Sequence, residues 1–124
     1  MFKIHSIDGG RTPATEYLPA ENITPKVGTM LVQENGLLVP ATGAKNPTYM
    51  CLQSSDAAVQ SGMDIPVMRV SPDTIFETET EADMSAVTLG KKIGLSADGT
   101  TVVTTDGAAE TVYIDKTVVR VRFA

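Results

Sequence analysis

The chain has 124 residues, of which 42% are hydrophobic and 20% are charged, and its formal net charge is −5 at pH 7. This length fits a single folding domain, and the composition is that of a globular protein rather than of a disordered one. Aromatic residues make up only 5% of the chain, so a base-stacking platform is not expected, and the negative net charge disfavours a wide phosphate-binding surface.

One cysteine, Cys51, excludes an intramolecular disulfide. The first residues lack the apolar run of a secretory signal, and no apolar stretch is long enough to cross a bilayer. We therefore expect a soluble protein made in the cytoplasm, without a membrane or nucleic-acid partner.

The residue types favour β-structure. Sixteen threonines and thirteen valines are β-branched and fit a pleated surface better than a helix. The sequence predicts a mainly β protein, a small antiparallel barrel or sandwich built from hairpins. At most short helical turns are expected, and residues 54–61 and 81–87 are the candidates for them.

Residues 1–24 are predicted to form an extended N-terminal arm, and residues 25–124 a single β-rich domain. The first segment contains Gly9-Gly10 and two prolines and offers few core residues, so we expect it to be mobile or held by a neighbouring subunit. Because this arm has no evident core to join, we place partner contacts at Lys3, Arg11 and Tyr17.

Two segments carry the signature of a β-hairpin. Residues 30–39 turn at Asn35-Gly36, and residues 92–104 turn at Asp98-Gly99; both dipeptides accept the positive φ of a tight hairpin. The two segments also share the spacing of their glycines and apolar residues at an offset of about 62 positions. This echo is either a small internal duplication or two independent uses of common hairpin patterns.

Further strands are predicted at residues 49–52, 65–70 and 74–77. Pro66 cannot donate a ladder hydrogen bond, so its strand is expected to begin there or to lie at an edge. Near the end of the chain Val119, Val121 and Phe123 alternate with Arg120 and Arg122, which predicts a half-buried strand. Methionines such as Met50, Met63 and Met68 have apolar neighbours and are predicted to fill the core.

No arrangement of residues typical of catalysis is evident. His5 is the single histidine, and Cys51 lies in a strand-like apolar run where a buried, inert thiol is the usual finding. We therefore predict a protein that is not an enzyme, with neither catalytic residues nor a cofactor.

Carboxylates at Glu77, Glu79, Glu81 and Asp83 offer two interpretations. They could bind a hard cation such as Ca²⁺. Alternatively, they form a solvated strand face or pair with arginines across a sheet. Arg120 and Arg122 have the alternation for such pairing, and we favour this second interpretation.

Several segments resemble small proteins encoded in the head-morphogenesis regions of phages and prophages of Gram-positive hosts. The resemblance covers residues 25–124, and the segments that carry it are 46–49, 65–78, Asp98-Gly99, Ala109-Glu110 and 119–123. It implies a structural protein on the capsid surface of the virion, which decorates and stabilises the head and binds the major capsid protein. The size and β content are also similar to those of compact, trimeric head decoration proteins.

The physical expectation that follows is a homo-oligomer, with a trimer preferred, that acts by adding contact area between capsid subunits. The alternative is a ligand- or glycan-binding adhesion module of a phage particle. A glycan site usually presents exposed aromatic rings, and the tyrosines available are Tyr17, Tyr49 and Tyr113.

Overall fold

The computed structural model describes residues 1–123, and in this range it contains eleven β-strands and no helix. In chain order the strands are β1 Lys3–Ile7, β2 Thr15–Pro19, β3 Met30–Glu34, β4 Leu37–Pro40, β5 Tyr49–Cys51, β6 Asp64–Arg69, β7 Thr74–Glu79, β8 Lys92–Leu95, β9 Val102–Asp106, β10 Ala109–Asp115 and β11 Val118–Phe123. The two candidate helical segments form turns and bends instead. Residues 1–123 include no apolar helix of membrane-spanning length.

The strands form two antiparallel sheets that do not close into a barrel. The larger sheet has the order β1-β7-β11-β10-β8-β9, and the smaller has the order β2-β6-β5-β3-β4. Buried side chains of both sheets join in one hydrophobic cluster. The predicted all-β class is confirmed, and of the two predicted architectures the structure has the sandwich.

The N-terminal segment differs from the expected arm. It is extended, but β1 pairs with β7 and β2 pairs with β6, so it forms an edge of each sheet. Phe2 is buried, and its ring lies 6.1 Å from that of Phe123. The expectation that residues 1–24 contribute little to the core is therefore wrong. The segment is held by strand pairing at the sheet edges and by the packing of Phe2. Its glycines and prolines gave no indication of these contacts in the sequence.

Both predicted hairpins are present, with different turns. Asn35 and Gly36 have φ values of 52° and 81° and form the tight connection between β3 and β4. The connection between β8 and β9 is longer, because Leu95 pairs with Val102 and six residues lie between them. A third hairpin, β10–β11, was not predicted; its two-residue turn places Lys116 at a φ of 57°.

Pro66 lies inside β6, which is a central strand and not an edge strand. Its carbonyl accepts a hydrogen bond from the amide of Leu52 at 3.0 Å, directly after the last residue of β5. In an antiparallel ladder the N–H and C=O of one residue face the same neighbour. The hydrogen bond that Pro66 cannot donate would point toward Leu52, which lies just beyond the end of β5. The ladder between β5 and β6 therefore loses no hydrogen bond.

The two sheets contain the same five-stranded unit twice. The order β2-β6-β5-β3-β4 becomes β7-β11-β10-β8-β9 when each strand number is raised by five. The register also agrees: Glu16 pairs with Val67 in the first unit, and Phe76 pairs with Val121 in the second. Strand order and register involve residues that are far apart in the sequence. The similarity between the two hairpin sequences is therefore part of a structural repeat that includes all five strands.

The turns that lead into the two hairpins are equivalent as well. The amide of Thr29 donates to the carbonyl of Lys26 at 3.2 Å, and the amide of Lys91 donates to the carbonyl of Thr88 at 3.1 Å. The glycine inside each turn has nearly the same backbone angle, with φ of 89° at Gly28 and 88° at Gly90.

One row of equivalent positions differs sharply in chemistry between the units. In the smaller sheet, Met50 pairs with Met30 on one side and with Met68 on the other. The equivalent row in the larger sheet consists of charged residues, in which Glu110 pairs with Lys92 and with Arg122. We call the first surface the methionine face and the second the charged face.

The methionine face packs into the centre of the sandwich. Its three methionines join the main cluster with the apolar face of the larger sheet, which lies opposite the charged face. The other face of the smaller sheet has its own cluster, covered by loop residues such as Ile23 and Val59. The two units therefore stack front to back, a heterologous arrangement in which each uses a different face.

Replacing Gly28 by alanine tests how firmly the N-terminal segment belongs to this core. A Cβ atom at Gly28 would lie 2.3 Å from the carbonyl oxygen of Phe2, whereas nothing lies within 4 Å of a Cβ atom at Gly90. Both substitutions strain the backbone, because both positions have positive φ. Gly90→Ala should lower the free energy of unfolding by about 1–2 kcal/mol. Gly28→Ala should lower it by roughly 2 kcal/mol more, because Phe2 must leave its packing site.

Urea denaturation of the two variants checks this difference. Adding Phe2→Ala should cost much less in the Gly28→Ala background than in the wild type, because both changes remove the same packing. Equal losses for the two glycine variants would show that Phe2 is not held at the sandwich core.

Candidate functional site

The charged face of the larger sheet carries three ion pairs that join neighbouring strands. It spans β1, β7, β11, β10 and β8, and alternation along these strands leaves it opposite the apolar core. Its side chains are held by neighbours across strands and not by long loops. The surface is therefore fixed by the sheet register.

A network of three charges lies at the centre of this face. Glu77 accepts from Nε of Arg120 at 3.0 Å and lies 3.1 Å from Nζ of Lys3. The register accounts for this, because Glu77 pairs directly with Lys3 on one side and with Arg120 on the other. The Arg120 guanidinium also lies 4.2 Å from the centre of the Tyr113 ring, within the range of a cation–π interaction.

A second pair lies beside this network. Arg122 donates to Glu110 at 3.2 Å across β11 and β10. Both arginines extend from the same strand, two residues apart, and each meets a carboxylate on a neighbouring strand. Arg120 pairs with Glu77 as the sequence alternation suggested, whereas Arg122 pairs with Glu110.

Electrostatics keep the central carboxylate ionised. The hydrogen bond from Arg120 is the largest influence on Glu77, followed by that from Lys3, and together they hold the pKa of this carboxyl below its usual value. Since the side chain of Glu77 is only 17% exposed, this carboxylate is a fixed structural charge.

The residues predicted to contact a partner do not form one site. Lys3 is on the charged face, with its side chain 73% exposed. Tyr17 is on β2 at an edge of the other sheet and is 66% exposed. Arg11 lies in the exposed connection between β1 and β2. No residue pattern in the first 24 positions indicates that β1 and β2 belong to different sheets, and this separation places the three residues apart.

Cys51 and His5 lie on different sheets. Cys51 is buried in β5, where its Sγ lies 3.3 Å from the carbonyl oxygen of Gln53. Burial raises the pKa of the Cys51 thiol above its usual value, which disfavours the reactive thiolate. The predicted burial of this cysteine is confirmed.

The three tyrosines differ in how much ring surface they expose, from 6% at Tyr49 to 39% at Tyr113 and 66% at Tyr17. Tyr49 is buried, and the Arg69 guanidinium lies 5.1 Å from its ring centre. Tyr113 has the guanidinium of Arg120 over its ring. Of the rings considered for glycan stacking, Tyr17 is the most exposed.

The carboxylates of residues 77–83 do not converge. Glu77 is engaged by Lys3 and Arg120, Glu79 is exposed, and Asp83 accepts hydrogen bonds from the backbone and hydroxyl of Ser85. Among residues 1–123 no group of three or more metal-ligating side chains is arranged around a common point.

In sequence comparisons, no family model matches the chain and no curated protein shows significant similarity to it.

A pH series on Glu77→Gln tests the central network. Because the pKa of Glu77 is lowered by folding, its ionised form stabilises the protein above the pKa of the unfolded chain, and this stability is lost as the pH falls through the folded value. The wild-type Tm should exceed that of Glu77→Gln at pH 7, and the gap should close as the pH falls below about 5.

Thermal melts followed by circular dichroism measure this gap. Glu79→Gln is the matched control, since Glu79 lies on the same strand and face but forms no ion pair among the described residues. Its Tm should follow the wild type at every pH. A gap for Glu77→Gln that is independent of pH would contradict the proposed charge network.

Proposed function

We propose that this protein is a structural component of phage heads, which binds the outer surface of the capsid through the charged face of its larger sheet. Bound there, it would tie neighbouring capsid subunits together without transforming any molecule. The major capsid protein is its partner in this proposal, and the virion surface its location.

The observation that carries the proposal is the organisation of the charged face. Its positions are equivalent to those of the methionine face, which serves as the packing surface in the other unit. Charged pairs give this exposed face fixed polarity, which suits recognition of a second polar surface. Lys3 and Lys92 are exposed there, and Lys3 can contact a partner's carboxylate in addition to Glu77.

The segments that resemble phage head proteins support the same proposal by their location. Residues 65–78 comprise most of β6 and β7, and residues 119–123 lie in β11. They thus include two of the strands that build the charged face, β7 and β11.

Self-association completes the proposal. The outermost strands are β1 and β9 in the larger sheet and β2 and β4 in the smaller. In the smaller sheet, a bridge between Ala20 and Leu38 joins the end of β2 to β4. A closed ring of subunits can remove an edge such as that of β1 from solvent, so we propose a homo-oligomer with three subunits. Light scattering after size-exclusion chromatography should give a mass three times that of the 13.1 kDa chain. A mass of a single chain at every concentration would contradict self-association in solution.

Attachment to heads tests the function itself. Heads of the phage that encodes this chain, prepared with its gene deleted, should bind the purified protein saturably on cosedimentation. The double variant Lys3→Glu, Lys92→Glu should bind at least about tenfold more weakly, because two favourable contacts become repulsive. Both side chains are exposed, but Lys3→Glu also removes the ion pair with Glu77. Circular dichroism of the double variant therefore checks that the fold is retained.

The matched control carries the same change in net charge on the smaller sheet. Lys26→Glu, Lys45→Glu alters two exposed lysines outside the charged face and should bind heads as the wild type does. If the two double variants lose binding equally, the charged face is not the attachment surface. If the wild type does not bind the heads at all, the proposed function is wrong.

A further inference from the structure

A groove of about 600 Å³ lies between the segment that follows β7 and the β8–β9 hairpin. One wall is the segment after β7, residues 80–84, and the other is formed by the loop and strand at residues 96–104. Its volume is within the range of binding pockets in proteins. We call it the acidic groove.

The groove runs along the backbone of β9. Three consecutive residues of this strand, Val102, Val103 and Thr104, line it. Successive side chains of a strand point to opposite faces, so a groove lined by three in a row follows the strand's edge and not one of its faces. β9 is the last strand of its sheet and pairs only with β8 among the described residues.

Hydroxyl groups close one end of the space between β9 and the end of β7. Thr101 Oγ1 donates to the carbonyl oxygen of Glu79 at 2.9 Å, and Thr78 Oγ1 lies 3.1 Å from Thr101 Oγ1. Beyond this point no ladder joins the two segments. Side-chain hydrogen bonds therefore fix the distance between β9 and the end of β7 at one end of the groove. The adjoining edge of β9 is open to a further strand.

The side chains that line the groove favour a positively charged occupant. Glu81 and Asp98 stand at its rim, and no lysine, arginine or histidine lines it. Ser96 and Thr100 donate to the Asp98 carboxylate at 2.8 and 2.7 Å, which fixes an acidic group at this place. The buried side chains of Met84 and Val102 add an apolar lining.

We propose that the acidic groove binds an extended, basic segment of a partner protein, which pairs with the free edge of β9. Main-chain hydrogen bonds to β9 supply the strand addition, basic side chains meet Glu81 and Asp98, and alternating small apolar side chains face Met84 and Val102. β9 has five residues, so a segment of six residues, about 20 Å when extended, covers it. This binding is independent of the charged face and of attachment to heads.

A synthetic hexapeptide, acetyl-Lys-Val-Lys-Val-Lys-Val-amide, is the probe. Titrated into the ¹⁵N-labelled full chain at low ionic strength, it should shift the amide resonances of residues 81–84 and 102–106 and slow hydrogen exchange along β9. The matching peptide with glutamate in place of lysine should leave those resonances unchanged. Shifts confined to other residues, or none at millimolar peptide, would overturn the proposal.

Two further comparisons separate strand pairing from simple charge attraction. A hexapeptide of the same sequence, N-methylated at alternate amides so that it cannot donate to β9, should bind at least about tenfold more weakly. Equal binding would show that no strand is added. Glu81→Lys should weaken binding of the unmodified peptide about fivefold, whereas Glu21→Lys, an exposed change on the other sheet, should not. Equal effects of the two variants would refute a site at the groove.

Discussion

The packing of the methionine face against the apolar face of the larger sheet determines how the rest of the molecule is arranged. Met30, Met50 and Met68 are almost completely buried, and unbranched methionines fill the irregular space between two sheets that are not symmetric partners. Each single sheet of this size would leave a large apolar face in water. Stacking removes these apolar faces from water, and the burial of apolar surface is the main favourable contribution to folding.

Front-to-back stacking gives two equivalent units different roles. The same row of the same five-stranded unit is methionine in one copy and Lys92, Glu110 and Arg122 in the other. A third unit could in principle continue the stack on the charged face, but desolvating its paired charges against an apolar surface would be costly. The paired charges therefore disfavour a third unit on this face and leave an organised polar surface.

Much of the fold could be predicted from residue patterns, because the signals were local. Asn35-Gly36 marked a tight turn, and alternation in β11 marked a strand with one buried face. Other features depend on contacts between distant residues. Residues 111–114 of β10 have high β-propensity, but Ala109 and Glu110 do not, and this first part of the strand is held by neighbours on both sides. For the same reason, the burial of Phe2 and the internal position of Pro66 could not be deduced from the sequence. On the charged face, the sequence alternation indicated that Arg120 would pair with a carboxylate such as Glu77. The ion pairs of Lys3 and Glu110 could not be predicted, because they depend on how the strands are aligned in the sheet.

Limited oxidation with hydrogen peroxide, read residue by residue by peptide mass spectrometry, tests the central packing most directly. The six methionines provide their own comparison, because Met1 and Met63 are 47% and 52% exposed while Met30, Met50, Met68 and Met84 are at most 4% exposed. The prediction that Met63 fills the core, which was based on its apolar neighbours in the sequence, is therefore wrong. The stacked arrangement predicts rapid conversion of Met1 and Met63 to the sulfoxide, with the other four protected until the protein unfolds. Oxidation of Met30, Met50 and Met68 at the rate of Met63 would show that the methionine face is open to solvent and would contradict the sandwich described here.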